Sequence, residues 1–356
     1  MPIAARRFAL FVLGAVSCSQ VQAAPADECA SHAAASQPAV NLRLDNDVFG
    51  AQDQGYSSGI QLMLISSDLS GGMRSDCRWP VTNWLGRRMR WLGPAGSEQQ
   101  NLTVSVGQAI FTPSNRKWTS TIPDDRPYAA VLLAGIGYNA RLGDRLQASL
   151  LQVGIVGPSA RGQQSQNLTH KVTGDYPFLG WENQLHDEGV FRLLHERLRR
   201  HPARPAAPAG GNWRWDAVSH WGVSLGNLLT QANLGGELRW GPKLPDDFGS
   251  SPTRPAGERT IGRRREGRSA FAPGLAAHAF LALDARWVLW DMSLDGNAFK
   301  DSHRVDKEPF VADLGFGIAL TRGPWKLVIA RFHRTREFHG QKELPVYGSV
   351  SISRSF

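Results

Sequence analysis

The sequence predicts an all-β protein, a 12-stranded antiparallel transmembrane β-barrel, and three observations support that prediction. Apolar and polar residues alternate with a period of two in many segments, which is the pattern of strands with two different faces. The polar face mixes Gly, Ser and charged residues, as in a narrow lumen behind a lipid-facing wall. After residue 24, no apolar run reaches the roughly 18 residues that a membrane helix needs.

Residues 1–23 have the pattern of a secretory signal. Arg6 and Arg7 precede an apolar run, and small residues follow it in the order that export requires. We therefore expect a signal peptide over 1–23, a periplasmic tail over 24–38 and an outer-membrane barrel over 39–356.

Two cysteines, Cys29 and Cys77, remain in the mature chain. An even pair of cysteines in an exported protein favours a disulfide. Strand counting places both on the periplasmic side, where the bridge would tie the tail to the long connection over 67–100.

Twelve strands are predicted from the alternation. The pattern is clearest near the C-terminus, where Val350 and Ile352 alternate with Ser349 and Ser351 before the terminal Phe356. An even number of strands lets both ends of the barrel lie on the periplasmic side. The predicted strands are 39–46, 57–66, 101–111, 129–141, 145–156, 188–199, 213–225, 230–241, 275–291, 309–321, 324–335 and 345–356.

Two long connections lack the alternation. Residues 242–270 are rich in Pro, Gly and Arg and are expected to form a solvated loop, with a contact between Arg263–Arg265 and anionic lipid as the alternative. Residues 159–187 predict one or two short helices between strands 5 and 6. A connection of this length at a barrel mouth is often functional.

The same topology gathers polar residues at the extracellular mouth, because the connections after odd-numbered strands all lie there. It brings together Asp45-Asn46-Asp47, the segment 54–57, the segment 123–127 and His170. An Asp/Asn cluster with loop oxygens suits Ca²⁺, although Asp, Asn and Gly also favour ordinary turns. The acidic cluster and the histidine together favour metal-assisted hydrolysis.

Several other classes of site have no support in the sequence. There is no G-x-S-x-G elbow for an α/β-hydrolase triad, and no P-loop or dinucleotide-binding glycine motif. The 40 Lys and Arg against 31 Asp and Glu give a net charge of +9, which suggests anionic partners. For an exported barrel we expect lipopolysaccharide and outer-membrane lipids as partners, and no nucleic acid.

Ordered blocks between residue 40 and about residue 190 resemble the lipid A deacylase family of outer-membrane barrels (LpxR-type). The strand plan beyond them is compatible with that family to the C-terminus. The blocks are Leu44-Asp45-Asn46-Asp47, Asp53 to Gly59, Asp125-Arg126-Pro127-Tyr128-Ala129, Gly154 to Pro158, Gly162-Gln163 through Gln166-Asn167 with His170, and Trp181-Glu182-Asn183-Gln184.

The resemblance implies a barrel that removes the 3′-acyloxyacyl group from lipid A with Ca²⁺. Asn46, Asp47, Ser57 and His170 match the family's active-site positions. Asp47 and Ser57 are expected to bind the metal.

A further acidic residue of the family, a few positions after the histidine, has Asp175 as its nearest counterpart. An ungapped alignment places Tyr176 there instead, so Asp175 is a third expected metal ligand outside strict register. Arg126 and Gln163 are expected to contact the substrate, and the protein is expected to be a monomer.

Three functions follow from these features. In the first, a lipid A 3′-O-deacylase, His170 is the general base, Ca²⁺ is the electrophile, and Asn46 donates to the oxyanion or orients a ligand. The second is a Ca²⁺-dependent outer-membrane phospholipase with Ser57 as nucleophile and His170 as base. The third is a non-catalytic porin or structural barrel.

Overall fold

Twelve antiparallel strands close into one barrel in the computed structural model, in which each strand pairs with its sequence neighbours and β1 pairs with β12. The structure describes residues 38–47, 55–69, 80–174, 176–205, 213–251 and 274–356. The strands are β1 Ala39–Asn46, β2 Gly55–Ile65, β3 Gln99–Thr112, β4 Ala129–Leu142, β5 Arg145–Val156, β6 Glu188–Pro205, β7 Arg214–Leu225, β8 Leu229–Gly241, β9 Leu275–Asp291, β10 Phe310–Arg322, β11 Trp325–Arg334 and β12 Val346–Ser355. The predicted fold class is confirmed.

Strand β6 is the one predicted strand that is wrong by more than two residues, because it continues to Pro205 rather than ending at 199. Its last residues pair with β7 alone, since β5 begins opposite Arg199. A proline removes no ladder hydrogen bond on such an edge, so Pro202 does not interrupt the strand, which ends at Pro205.

The barrel is apolar outside and polar inside. The outward side chains are exposed, and they include Leu44, Leu64, Val104, Leu132, Val153, Leu193, Leu234, Leu281, Ile318 and Ile329. The inward positions of the same strands carry buried Asn, Gln, Ser, Arg and Glu side chains. This arrangement is the reverse of a soluble barrel and matches a wall that faces lipid.

Each end of the barrel carries both short and long connections. We call the end where β1 begins and β12 ends the lower end, and the opposite one the upper end. The lower end carries two short turns, 143–144 and 323–324, and the long connections after β2 and β8. At the upper end, the connections after β3, β5 and β9 are long and the one after β7 is short.

A helix that the sequence analysis did not predict lies in the connection between β2 and β3. This helix, α1 (Pro80–Met89), continues into a 3-10 turn over Arg90–Leu92. Its residues Leu85, Met89 and Leu92 pack against a buried cluster on the outer face of β3 and β4. No helix in the described ranges is long and apolar enough to cross a membrane.

The chain after β8 folds into the lower lumen. Phe248 is buried against Leu146, Leu198 and Val218, and Asp247 forms ion pairs with Arg239 and Lys326. The backbone N–H groups of Ser250 and Ser251 donate to Glu237 at 2.7 Å each. The expectation of a solvated loop is therefore wrong for 244–251, because buried carboxylates and guanidinium groups supply its polar partners. Arg263–Arg265 lie outside the described residues.

Hydrogen-bonded and ion-paired side chains continue up the lumen above residues 244–251, which we call the plug. His220 contacts Asp284 at 2.6 Å, and Arg334 contacts Asp313 at 2.7 Å. Asp45 accepts a hydrogen bond from Tyr56 at 2.8 Å. The lumen is therefore occupied by paired charges, with a cavity of about 220 Å³ in its upper part.

The predicted signal peptide, the predicted tail up to residue 37 and both cysteines lie outside the described residues. The disulfide between Cys29 and Cys77 stays a prediction.

Candidate active site

The end of β1 carries the first two candidate residues. Leu44 faces outward and Asp45 faces the lumen, where its carboxylate accepts a hydrogen bond from Ser349 at 2.5 Å. By alternation, Asn46 lies on the same outer face as Leu44. Asp47 follows directly and is buried.

A β-bulge in β2 lies beside them. Tyr56 pairs with Phe111 and Ser58 pairs with Ile110, so Ser57 is the extra residue of the bulged strand. Ser58 is also the register partner of Asn46. Bulges are common next to active sites because they change the direction of a side chain. The structure describes the Ser57 backbone but not its side chain.

Helix α2 (Gly162–Thr173) lies against the outer wall at the upper end. The buried apolar cluster between helix and wall consists of Ile110, Tyr128, Ala130, Ala160, Phe178 and Trp181. A Cβ atom on Gly162 would lie 2.3 Å from the Cβ of Ala130, so the helix can approach this closely only with glycine there. The predicted helix in the connection between β5 and β6 is confirmed.

Hydrogen bonds fix the helix in place as well. The indole N–H of Trp181 donates to Gln166 at 2.9 Å, and the side-chain amide of Gln108 on β3 donates to the Ala160 carbonyl at 2.6 Å. Asp187 accepts from the backbone N–H and the hydroxyl of Ser159 at 2.8 and 2.7 Å. The loop that carries the helix is therefore held at both of its ends.

His170 lies near the end of α2 and is 7% exposed. Its Nδ1 atom lies 2.8 Å from the carbonyl oxygen of Tyr176, and its ring packs against Phe178 with centroids 5.9 Å apart. A carbonyl oxygen can only accept, so Nδ1 must donate in this bond. In the neutral ring, Nε2 then carries the lone pair, which is the form that a general base requires.

A series of pairings and contacts links Asn46 to His170 on the outside of the barrel. Asn46 on β1 pairs with Ser58 on β2, which pairs with Ile110 on β3. Ile110 belongs to the same cluster as Phe178, and Phe178 contacts His170. Neighbouring strands lie about 4.8 Å apart, so Asn46 and Ile110 are separated by about 10 Å. Asn46 and His170 therefore lie at the same end of the barrel, and the shared site predicted from strand counting stays a prediction.

The chemistry of the donors fits a hard cation. Asp47 supplies a buried carboxylate, and Asn46 and Ser57 supply amide and hydroxyl oxygens of the kind that Ca²⁺ binds. Within the described ranges, no three His, Cys, Asp or Glu residues form a metal-binding group. From the described residues, a Ca²⁺ site here would take the carboxylate of Asp47 with neutral oxygens beside it. Asp175 lies outside the described residues.

Arg126 is not on the outer face with the others. Its guanidinium group is buried in the upper lumen, 3.3 Å from Glu337 and over the ring of Phe111. Burial alone would raise the pKa of the Glu337 carboxyl, but the charges of Arg126 and Arg334 lower it below its ordinary value. Arg126 is therefore held by an ion pair with Glu337, and its contact with substrate stays a prediction.

Gln163 occupies the first turn of α2 and is exposed. A substrate could reach it without any rearrangement of the helix. The exposed position is compatible with the predicted substrate contact but does not test it.

Two features of the site were missed by sequence reasoning. Gln166 received no role, although it lies four residues before His170 and therefore on the same helical face. The carbonyl of Tyr176 was missed because a backbone contact leaves no mark on residue types. Tyr128 and Trp181, which belong to the matching blocks, form the packing that holds α2, with ring centroids 5.1 Å apart.

A family model and one solved structure agree with this architecture. The family model described as "Outer membrane protein LpxR" matches residues 10–356. LpxR from Salmonella typhimurium superposes with a TM-score of 0.68 at 16% identity, over 89% of this chain and 100% of that one. The β domain of the Bordetella autotransporter BrkA gives a TM-score of 0.42 at 12% identity, over 90% and 100% of the two chains. No curated protein matches. Because the family model covers nearly the whole chain, the protein belongs to the LpxR family of outer-membrane proteins.

Proposed function

We propose that this protein is a lipid A deacylase, which hydrolyses the 3′-O-linked acyloxyacyl ester of lipid A at the upper end of the barrel. The single observation that carries this is the position of His170, which a helix holds on the outer wall rather than in the lumen. A substrate anchored in a membrane leaflet approaches the wall from the side. In this proposal, the upper end faces the outside of the cell.

The environment of the site suits an acylated substrate. Large apolar side chains around α2 are exposed, and they include Trp118, Leu168, Tyr176 and Leu179. Arg116 stacks over the ring of Tyr176 at 5.6 Å, so the rim also presents a cation. These side chains form a lipid-facing rim. Its apolar residues would contact acyl chains, and Arg116 would bind a phosphate.

His170 would remove the proton of the attacking water with Nε2, while its Nδ1–H remains bonded to the Tyr176 carbonyl. That bond fixes the tautomer and the ring orientation, and it stabilises the imidazolium that forms. The proton then passes from Nε2 to the departing alkoxide of the sugar. Asn46 would donate its amide N–H to the developing oxyanion or orient a ligand.

Ca²⁺ is the proposed cofactor, and oxygen atoms of Asp47 and Ser57 would hold it, with Asp175 as a further expected ligand. When bound, it supplies Lewis acidity to the ester carbonyl. The position of Asp47 directly beside Asn46 is the support for this assignment.

A phospholipase with Ser57 as nucleophile is the second candidate enzyme. The bulge at Ser57 supports it, since bulges redirect side chains. The two activities differ in substrate, and only the phospholipase forms an acyl-enzyme on Ser57. A Ser57→Ala variant should therefore lose all activity if the residue is the nucleophile, and retain part of it if the residue is a ligand.

The deciding experiment is mass spectrometry of lipid A from cells that express the protein or His170→Ala. We expect the wild type to remove the 3′-acyloxyacyl mass, and the variant to lose this activity by about 10²- to 10⁴-fold, the usual contribution of a general base. His339→Ala is the matched control, because His339 is an exposed upper-loop histidine that pairs with Asp306. Lipid A of unchanged mass with wild-type protein would contradict the proposal.

A further inference from the structure

A groove of about 460 Å³ runs along the outer wall at the lower end of the barrel. It begins beside Pro94, just after the 3-10 turn that follows α1, and crosses strands β4 to β8. It lies far from the candidate active site, at the opposite end of the barrel. Its lining includes Leu142, Arg145, Arg197, Arg199, Trp221 and Leu234.

Three arginines crowd the lower part of this groove. Arg145 is the first residue of β5, and Arg199 lies directly opposite on β6, with Arg197 two residues further up. All three are exposed, and none forms an ion pair with a carboxylate in the described ranges. Like charges directly opposite each other destabilise a sheet. An anion bound between them would remove that repulsion.

The upper part of the groove is apolar. Trp221 is the register partner of both Arg197 and Leu234, and the Arg197 guanidinium lies 5.5 Å from the centre of the indole. Trp221 and Leu234 are exposed and continue into the apolar outer wall. The groove therefore offers positive charge at the barrel rim and an apolar track above it, which is the polarity of a phospholipid.

Helix α1 marks the level of the membrane surface beside the groove. Its buried side packs on the barrel, while Trp84 and Trp91 are exposed, as are Arg88 and Arg90. Tryptophan and arginine on one exposed side are typical of a helix that lies in the interfacial region of a bilayer. The headgroup layer is then at the height of Arg145 and Arg199.

We propose that this groove binds an anionic phospholipid, with its phosphate between Arg145 and Arg199 and its acyl chains along Trp221 and Leu234. Arg197 contacts the glycerol-ester region from above. The assignment rests on the proposed orientation, in which the lower end faces the phospholipid leaflet on the periplasmic side. It does not depend on the deacylase chemistry.

Native mass spectrometry of the purified full-length barrel tests the proposal, with phosphatidylglycerol and phosphatidylethanolamine as competing probes. We expect the wild type to retain phosphatidylglycerol preferentially. Each basic residue near a membrane surface contributes about fivefold to anionic-lipid affinity, so the Arg145→Gln/Arg197→Gln/Arg199→Gln variant should bind roughly a hundredfold more weakly. Arg322→Gln is the matched control, because Arg322 is an exposed outward arginine at the other short lower turn, and it should leave the affinity unchanged.

A photo-crosslinking amino acid in place of Leu234 provides a second measurement with all three arginines intact. An anionic phospholipid adduct should form at 234 in excess over the same probe at Ile329, which is lipid-facing on β11 and outside the groove. Equal adducts at the two positions, unchanged affinity in the triple variant, or capture of lipopolysaccharide at 234 would each overturn the proposal.

Discussion

The hydrogen bond between His170 and the Tyr176 carbonyl lies at a position where the chain departs from the family pattern. An ungapped alignment places Tyr176 where the family has an acidic residue. Here the backbone of this residue orients the imidazole, and its side chain is exposed beneath Arg116. The orientation of the base therefore does not depend on the residue type at this position. What the change removes is a negative charge near the proposed cation.

Asp47 should consequently carry most of the cation affinity. We predict that Asp47→Asn, which keeps the size of the side chain, raises the Ca²⁺ concentration for half-maximal deacylation at least about tenfold, because loss of a charged ligand costs more than about 1.4 kcal/mol. Lipid A release at graded free Ca²⁺ would measure it. Asp124→Asn serves as the control, since Asp124 is an exposed carboxylate in another upper loop. Full activity of the wild type in EDTA would refute the metal assignment.

At the scale of elements, helix α2 owes its position to a few packing contacts rather than to its own sequence. Trp181 fills the space between helix and wall, and Gly162 permits the close approach. Arg161, which precedes the helix, has φ of 60°, a left-handed conformation that costs a non-glycine residue energy and is often found at functional sites. The conformation of Arg161 therefore costs free energy locally, at the point where the loop positions the helix on the wall.

Loss of Trp181 should separate helix placement from barrel folding. We predict that Trp181→Ala leaves the heat-modifiable barrel intact but makes the 157–187 loop sensitive to protease and lowers deacylation at least about tenfold. The physical reason is that truncating a buried Trp costs about 3–5 kcal/mol, and here the cost falls on one loop. Limited proteolysis with mass mapping measures it. Trp287→Ala, at an exposed lipid-facing position, should leave both properties unchanged, and a protease-resistant Trp181→Ala loop would contradict the assignment.

Elements with a periodic pattern were predictable from sequence, whereas elements held by distant partners were not. Alternation placed β1, β5 and β9 at their observed bounds, because each residue's face is decided locally by lipid or lumen. Helix α1 was not predicted because its apolar residues are few. Leu85, Met89 and Leu92 have helical spacing, but the Trp and Arg residues between them mask the amphipathic pattern. In the sequence, the plug at 244–251 has the composition of a turn-rich loop. Its buried position could not be predicted, because its partners Arg239 and Lys326 lie on strands that come near each other only in the folded barrel.

For the molecule as a whole, the side chains that fill the lumen distinguish this barrel from an aqueous pore. Arg239 is buried between Asp216 and Asp247, while Lys326 of β11, three strands away from β8, contacts Asp247 at 3.1 Å. Burial would raise the pKa of Asp247, but Lys326 and Arg239 hold it well below its ordinary value. The carboxylate is therefore charged at every physiological pH and links β8 to β11 inside the lumen. Twelve strands also enclose far less space than the 16–18 strands of aqueous porins.

We therefore predict that the purified protein shows no steady ohmic conductance in planar bilayers, and that Asp247→Ala creates one. Removing this carboxylate takes a buried anionic partner from both Arg239 and Lys326, which costs about 3–5 kcal/mol and should release residues 244–251 from the lumen and let water and ions enter. Single-channel recording measures the change, and thermal unfolding of the barrel should shift downward in the same variant. Asp301→Ala, at an exposed upper-loop carboxylate, should alter neither. A stable open channel in the wild type would favour the porin hypothesis over an enzyme with a closed lumen.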